Sequence, residues 1–418
     1  MSDFQASKTA STSQPGFVLP LVLMLAVQAL TSASSQAIPV LVTEAAISFG
    51  VAKDMVGFFV SASYLVSMVA ALFGGTYAAR HGAIRVSQFA LTFCAVGLLI
   101  FAIGSPWILL PAAIVLGVAY GPATPASSQI LARVTPARLL NVVFSIKQTG
   151  VPMGGIIAGS IMAPLVVFIG WQGATVALAG ACLLLVAILQ PLRARLDVER
   201  PDAARPTVRQ LFRPLRTVWS IPDLRRLSLI SVAFSAIQVC VTTYLVIFLI
   251  DRTGAGLIAA GLVLTVTQLA GVAGRVFWGS VADVTRRPRL LLAMLAILMG
   301  LGAVALALVD GGWPHWALLI VVVVLGGTAI GWNGVVLAEV ARLAGPGKAG
   351  EITGGAAVFM FAGPLLGPAI FGLILVFSPS YALAFCTMGF FTAIAALALL
   401  RDAIAEHAGR RGESVPPR

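Results

Sequence analysis

Long apolar runs recur along the whole chain, and they constrain the fold more than any other feature of the sequence. Hydrophobic residues make up 59% of the 418 residues and charged residues only 10%. A soluble chain of this length leaves roughly half of its residues facing water, so it could not hide that many apolar side chains. A bilayer acts as the solvent for such side chains. The sequence therefore predicts a membrane protein.

The runs are long enough to cross a membrane as helices. A hydrocarbon core of about 30 Å needs roughly 20 residues at about 1.5 Å each. Barrel strands would be about 10 residues long and strictly alternating, unlike these runs. We predict an all-α membrane protein with twelve transmembrane helices, at approximately 17–42, 54–78, 84–104, 107–131, 141–168, 172–191, 226–250, 257–282, 289–309, 314–338, 352–377 and 380–400.

The positive charge of the chain is a topology signal. Its formal net charge is +12, with 27 Lys and Arg residues. All but four of them fall in segments that lie on one side of the membrane if the chain crosses twelve times; the exceptions are Lys53, Arg252, Lys147 and Arg275. Because cytoplasmic loops are enriched in Lys and Arg, both termini are predicted to be cytoplasmic. The charge thus faces a lipid bilayer, and no nucleic acid is expected as a partner.

Nothing in the sequence indicates catalytic or metal chemistry. The four cysteines lie far apart inside apolar runs, without metal-ligand spacing, and only three histidines are present. We expect free thiols there. There is no nucleophile–base pair or phosphate-binding loop, so we predict a non-enzyme without a cofactor or a bound metal.

One long polar segment divides the chain into two similar halves. The sequence predicts a cytoplasmic tail at 1–16, six-helix bundles at 17–192 and 226–400, an Arg- and Pro-rich linker at 193–225, and a second tail at 401–418. Short motifs recur between the bundles at offsets of 204, 209 and 213 residues, among them the Leu-Gly pairs at 116–117 and 325–326. Parallel repeats with a binding site between them are a transporter design.

The repeated motif resembles the one that follows the second and eighth helices in the major facilitator superfamily, Gly-x-x-x-Asp-Arg-x-Gly-Arg. The second copy keeps Gly279, Asp283, Arg286 and Arg287. The resemblance extends over essentially the whole chain and implies the fold of that family, a secondary transporter of the bacterial inner membrane. It also implies that Asp283, Arg286 and Arg287 stabilise one state of the cytoplasmic gate. The alternative is that they only anchor the loop on the cytoplasmic side.

The first copy of the motif and two other family motifs depart from the pattern. Arg80 keeps the basic position of the gate, but Ala79 stands where the family has Asp. Gly117 occupies the position of the Arg that proton-coupled drug antiporters carry in helix 4, and Ala71 that of a helix 2 Arg in nitrate porters. These departures argue against drug/proton antiport and against nitrate.

Two cations, Lys147 and Arg275, are predicted to lie deep in the membrane. A charge at that depth is costly and marks a functional site by default, and no Asp or Glu occurs at similar depth. The simplest source of the missing negative charge is an anionic substrate, because the fork of the Arg guanidinium suits carboxylates and Lys adds a compact positive charge. In the family, helices 5 and 8 face each other, so both cations are expected at one cavity. Alternatively, Lys147 extends to the interface, or Arg275 pairs with Asp283 or braces the gate.

Polar side chains inside the spans complete the predicted substrate site. They lie on helices that line the cavity in the family or well inside the tenth span, although such residues also serve as hydrogen bonds between membrane helices. The predicted members are Gln28, Tyr64, Gln238, Gln268, Trp332 and Asn333.

The sequence thus predicts a transporter that moves a small carboxylate-like anion by alternating access, most simply as a monomer. Either the substrate carries a proton with it as in symport, or the protein exchanges anions or works as a uniporter. The alternatives are efflux of drugs or other amphiphiles and, from a different class, a membrane sensor without transport.

Overall fold

The computed structural model describes residues 16–136, 139–197, 208–344 and 349–413, and these contain helices and no strands. The helices in the first part are α1 Val18–Phe49, α2 Val56–His81, α3 Ala83–Ala102, α4 Leu109–Val134, α5 Leu140–Gln148, α6 Gly150–Ile157, α7 Ala163–Leu189 and α8 Arg193–Leu196. Those in the second part are α9 Val208–Ser220, α10 Pro222–Thr253, α11 Leu257–Thr285, α12 Pro288–Ala307, α13 His315–Ala329, α14 Asn333–Ala344, α15 Ala349–Phe377 and α16 Tyr381–Glu413.

The helices often extend beyond the apolar runs that predict them. The first continues to Phe49 and ends at Gly50, whose positive φ of 64° is the left-handed conformation that ends helices. The helix after the linker already begins at Pro222, because proline fits the first helical turn. The predicted linker is itself partly helical, containing α8 and α9. A helix needs no apolar side chains to continue into the interface, so hydropathy underestimates its length.

Eleven helical stretches among the described residues are long and apolar enough to cross a membrane. The longest, Val142–Leu196, has 55 residues and covers the predicted fifth and sixth spans. It is not one straight helix, because Gly170 has φ 75° and ψ 164°, outside the helical region. The helical path also passes through a π-helical turn at Ala158–Met162, where the glycine at 159 lies against the backbone of Gly261 in α11.

Each half has its own set of packed helices. In the first half, α4 packs between α2 and α3, and α1 packs against α6 and α7. In the second half, α13 packs against α11 and α12, while α15 lies along α10 and α16 along α12. The contacts between the halves run from α2 to α15, from α1 to α10, and from α6 and α7 to α11.

Equivalent positions in the two halves make the same close contact. Gly117 of α4 lies against the backbone carbonyl of Ser63 in α2, and Gly326 of α13 lies against that of Thr267 in α11. The sequence separations are 204 residues on one side of this contact and 209 on the other, as in the sequence repeats. Small residues let membrane helices approach closely. The glycines therefore set the spacing of both helix pairs.

One helical turn further along, the glycine of the contact lies on different helices of the pair in the two halves. In the first half Gly121 of α4 lies against the carbonyl of Ser67 in α2. In the second half the glycine is on the other helix, where Gly271 of α11 packs against Ile330, which follows α13. A close contact is thus kept in both halves, with the glycine on different helices.

Polar contacts join the halves at the end of the bundle opposite α8 and α9, which we call the far end; the other is the linker end. The Tyr381 hydroxyl lies 3.1 Å from the Asp54 carboxylate and 2.8 Å from that of Asp251. Lys53 forms an ion pair with Asp251. The Tyr244 hydroxyl lies 3.1 Å from the Pro368 carbonyl oxygen and 3.3 Å from that of Asp54. Since Lys53 and Asp54 belong to the first half and their partners to the second, these contacts connect the two halves at the far end.

We expect the Gly117→Val substitution to destabilise the protein, because an added Cβ would lie 2.7 Å from the Val66 Cβ and closer still to the Ser63 carbonyl oxygen. Overpacking of this kind costs about 1–3 kcal/mol, which a lowered thermal midpoint of the detergent-solubilised protein would report. The matched control is Gly180→Val, since a Cβ at Gly180 meets nothing within 4 Å. Equal midpoints for the two variants would contradict the close packing of α2 and α4.

Candidate functional site

The two predicted cations converge on one residue in the middle of the protein. The Lys147 Nζ lies 3.3 Å from the Gln148 Oε1 and 3.4 Å from the Thr124 carbonyl oxygen. The Arg275 guanidinium donates to the Gln148 carbonyl oxygen at 2.6 Å and, through Nε, to the Ile330 carbonyl oxygen at 3.0 Å. Because Gln148 belongs to α5 and Arg275 to α11, the cations meet between the two halves.

Breaks in the helices supply the carbonyl groups that hold Arg275. In a continuous helix the Gln148 carbonyl would accept the backbone N–H of residue 152, but residue 152 is proline and has no N–H. Ile330 follows the last residue of α13, at the break before α14, where carbonyls lose their intrahelical partners. Both carbonyls are therefore free to accept from the guanidinium.

Neither cation forms an ion pair with any described residue. Lys147 is 1% exposed, so its ammonium does not extend to the interface in this conformation. Arg275 contacts backbone carbonyls, and its predicted alternative partner Asp283 is exposed at the linker end. Thus the two positive charges are held by neutral oxygen atoms within the described structure. Arg275 does brace one contact between the halves, that with Gln148.

Gln28 and Gln268, two predicted site residues, extend the polar region from both sides. Gln28 of α1 is 1% exposed and accepts a hydrogen bond from the Thr124 hydroxyl at 3.2 Å. Its Nε2 has no hydrogen-bond partner among the described atoms. Gln268 of α11 donates to the Gln36 Oε1 at 2.6 Å, and Gln36 of α1 donates to the Val151 carbonyl at 2.8 Å. This second series of hydrogen bonds joins α11, α1 and α6 next to the cations.

Three further predicted residues form a network inside the second half. The Gln238 Oε1 accepts from the Trp332 indole at 3.0 Å and from the Asn333 amide at 3.2 Å. Trp332 is completely buried and packs edge-on against Phe234. These side chains satisfy one another, and they lie beside Ile330, whose carbonyl binds Arg275. Their position suits orientation of the arginine as well as direct contact with a substrate.

Tyr64 belongs to an aromatic cluster that joins the halves. Its ring lies 5.7 Å from that of Tyr120 in α4 and 6.2 Å from that of Phe361 in α15, and the last two rings are 6.4 Å apart. We call Tyr64, Tyr120 and Phe361 the aromatic triad. Tyr120 lies one helical turn before Thr124, whose carbonyl oxygen contacts the Lys147 Nζ at 3.4 Å. The triad therefore lies next to the cation site.

The predicted gating residues lie at the linker end and make no ion pair with each other in the described structure. Asp283, Arg286 and Arg287 are exposed, and Arg286 has the left-handed φ of 52° that ends α11. Arg80 is half-buried at the end of α2. Arg289, two residues after Arg287, does form ion pairs.

Arg289 lies 3.4 Å from the Asp223 carboxylate and 3.5 Å from that of Glu339, which is 2% exposed. Glu339 also pairs with Arg342 at 2.6 Å. These ion pairs tie α10, α12 and α14 together within the second half. Arg289 thus stabilises the packing at the linker end, and the predicted role of Asp283, Arg286 and Arg287 in a gate stays a prediction.

The sequence interpretation missed several residues of the site. Gln148, Thr124, Tyr120, Gln36 and Phe361 contact its predicted members or join the halves beside them. One signal was available, because a proline four residues after Gln148 predicts a free carbonyl there. The contacts of Phe361 depend on how the halves meet, which no local pattern encodes.

The fold and its polar centre define the chain as a multi-pass helical membrane protein of the transporter class. The chain belongs to the Major Facilitator Superfamily, whose family model matches residues 24–360. The prediction of that family is confirmed, and membership of a transporter family agrees with the expectation that the protein is not an enzyme.

Relatives agree on this class. The chain is 25% identical over 279 residues to an uncharacterized MFS-type transporter of Mycobacterium tuberculosis; the match covers 66% of this chain and 60% of the relative. Among solved structures, a mutant of the nucleoside transporter NupG has a TM-score of 0.76 at 15% identity, with 92% of this chain and 99% of that one covered.

Two other solved structures have the same fold. A POT family transporter in complex with 5-aminolevulinic acid has a TM-score of 0.75 at 12% identity, covering 92% of this chain and 96% of that one. An inward-facing, unoccupied bacterial homolog of the human lysosomal transporter Spinster has a TM-score of 0.70 at 14% identity, covering 94% and 96%. At these identities the likeness concerns the fold alone.

The Pro152→Ala substitution should weaken the bond between Arg275 and Gln148, because the new N–H competes for the Gln148 carbonyl. A hydrogen bond to a charged group contributes about 1.5–3 kcal/mol, so we expect the halves to separate more often. The measurement is the rate at which a water-soluble maleimide labels a cysteine at Thr149, in a background with Cys386 replaced. Labelling should be faster, by about tenfold or more if the bond is lost, whereas Val151→Ala, which leaves the backbone donors unchanged, should label at the original rate.

Proposed function

We propose that this protein transports a small carboxylate-type anion across the bacterial inner membrane, bound between Lys147, Arg275 and Gln28. One observation carries the proposal: two positive side chains converge on Gln148 between the halves, and no described carboxylate pairs with either. A charge in the membrane interior costs several kcal/mol unless it is paired. An anionic substrate would supply the missing charge.

The hydrogen-bonding groups of the site support an acceptor-rich ligand. Lys147 has three N–H donors, but its two contacts with oxygen are long, at 3.3 and 3.4 Å. Arg275 has five donors, of which the described structure uses Nε and one from a terminal nitrogen. The Gln28 Nε2 adds a buried donor without a partner. A carboxylate, which only accepts hydrogen bonds, suits this surplus of donors better than an amine or a sugar.

The orientation of the protein follows from the same considerations of charge and length. The stretch Val142–Leu196 has 55 residues, roughly 80 Å of helix, or more than twice a hydrocarbon core of about 30 Å. With the break at Gly170 it supports two crossings and therefore twelve in all, in two bundles at 17–192 and 226–400. The basic linker end is then cytoplasmic, together with both termini.

Alternating access around the central site is the mechanism that we propose. The contacts of Lys53 and Asp54 with Asp251 and Tyr381 hold the far end closed, whereas the motif residues Asp283, Arg286 and Arg287 at the linker end are exposed. This combination suits a state open towards the cytoplasm. In the opposite state the far-end contacts break and the motif residues pair. The anion would change sides as the halves rock about it.

Replacing Arg275 by Gln, or Lys147 by Gln, should weaken carboxylate binding by at least about 30-fold, because removing one partner of a buried charged contact costs 2 kcal/mol or more. Binding is measured by the rise in thermal midpoint of the purified protein with acetate, benzoate or succinate, at matched ionic strength, and transport by uptake of the binding compound into proteoliposomes. Arg275→Lys should retain part of the activity, since it keeps the charge without the fork.

The control variant is Arg252→Gln, which removes a charge from an exposed residue at the far end. It should bind and transport like the wild-type protein. Unchanged uptake by the Arg275→Gln variant would refute the two-cation site. Stabilisation by a cationic amphiphile and by no carboxylate would favour drug efflux, and binding without uptake would favour a sensor.

A further inference from the structure

The aromatic triad lies beside the two cations, and from this juxtaposition we infer that the transported carboxylate carries an aromatic ring. The inference rests on the proposed function, because it specifies the apolar part of the anion that Lys147 and Arg275 bind. Its own support comes from the arrangement, exposure and surroundings of the triad.

The triad has the geometry of a ring-binding cluster. Tyr120 meets Tyr64 and Phe361 at interplanar angles of 69° and 85°, close to edge-to-face, and Tyr64 meets Phe361 at 47°. Aromatic rings attract each other in such arrangements at centroid distances of about 4.5–7 Å. All three residues are partly exposed. A further ring can therefore contact the cluster at its accessible side.

The triad spans the boundary that moves during transport. Tyr64 and Tyr120 lie in the first half and Phe361 in the second. When the halves rock, the contacts of Phe361 with the two tyrosines, now 6.2 and 6.4 Å between centroids, must lengthen or break. A substrate ring between them would replace the lost contacts, so that the apolar surfaces stay covered while the halves separate.

Helix α4 connects the triad to the charged part of the site. Tyr120 lies one helical turn before Thr124, whose carbonyl oxygen is 3.4 Å from the Lys147 Nζ, so a carboxylate bound between the cations would have its substituent near these rings. The arrangement therefore favours a carboxylate with a planar apolar body.

A small cavity next to Tyr64 provides space on the side of the far end. Its lining combines apolar side chains, including Phe59, Val60 and Val239, with the hydroxyl residues Ser63 and Thr242. The Ser63 hydroxyl is buried and has no hydrogen-bond partner among the described atoms. The cavity lies between α1, α2 and α10, so it opens as the halves separate.

The first test compares four carboxylates by isothermal titration calorimetry on the full-length protein in detergent. Benzoate and phenylacetate should bind at least about tenfold more tightly than acetate, and more tightly than cyclohexanecarboxylate, which has similar bulk without a π system. Equal affinity for cyclohexanecarboxylate and benzoate, or a preference for acetate, would overturn the aromatic assignment and leave carboxylate transport standing. Failure of all four to bind would overturn both proposals.

The second test uses Phe361→Leu, which keeps an apolar side chain and removes the ring. Benzoate should bind roughly five- to tenfold more weakly to this variant, whereas acetate should bind as to the wild-type protein. The matched control is Phe390→Leu, at an exposed ring of α16 away from the triad, and it should change neither affinity. Equal weakening of benzoate and acetate in Phe361→Leu would show that the ring only supports the fold, and would refute its role in recognition.

Discussion

The hydrogen bonds of Arg275 to the carbonyls of Gln148 and Ile330 are the interaction on which the centre of this protein depends. A guanidinium inside a membrane protein must be solvated by something other than water, and a carboxylate would neutralise it permanently. Carbonyl dipoles lower the cost of burial and leave the charge in place. They are available only because the helices are interrupted, by Pro152 on one side and by the break after α13 on the other. Helix interruptions and buried charge are thus one device.

This device also explains why the two halves meet where they do. The Gln148 carbonyl belongs to the first half and Arg275 to the second, and the link from Gln268 through Gln36 to Val151 runs parallel to it. Both links involve single hydrogen bonds between polar groups, worth about 0.5–1.5 kcal/mol each for the neutral groups and about 1.5–3 kcal/mol for the charged guanidinium. Contacts of that size hold one arrangement without making it irreversible. The far-end cluster around Tyr381 has the same character, which suits a protein whose halves exchange partners during transport.

The sequence predicted the class of fold well, because hydropathy and the distribution of Arg and Lys are summed over many residues. It also drew attention to Lys147 and Arg275, since an isolated charge in an apolar run stands out; their role in binding a substrate stays a prediction. The sequence did not indicate details that depend on backbone geometry or on contacts between distant segments. The helix break near Ile330, the π-helical turn at Ala158–Met162 and the partners of Phe361 are of this kind. Gln238, Trp332 and Asn333 were correctly placed inside the bundle, but the sequence did not indicate that they would bind one another.

The different placement of large and small side chains in the two helix pairs has a consequence for the evolution of such proteins. At one level of the bundle the pair is Ser67 with Gly121, and at the equivalent level of the other half it is Gly271 with Ile330. An ancestral repeat could not have changed one member alone without a clash or a void at the interface. Related sequences should therefore show correlated replacement at these sites, with a small residue kept on at least one of the two helices. Such covariation would reflect the packing of the helices and would not depend on which substrate is transported.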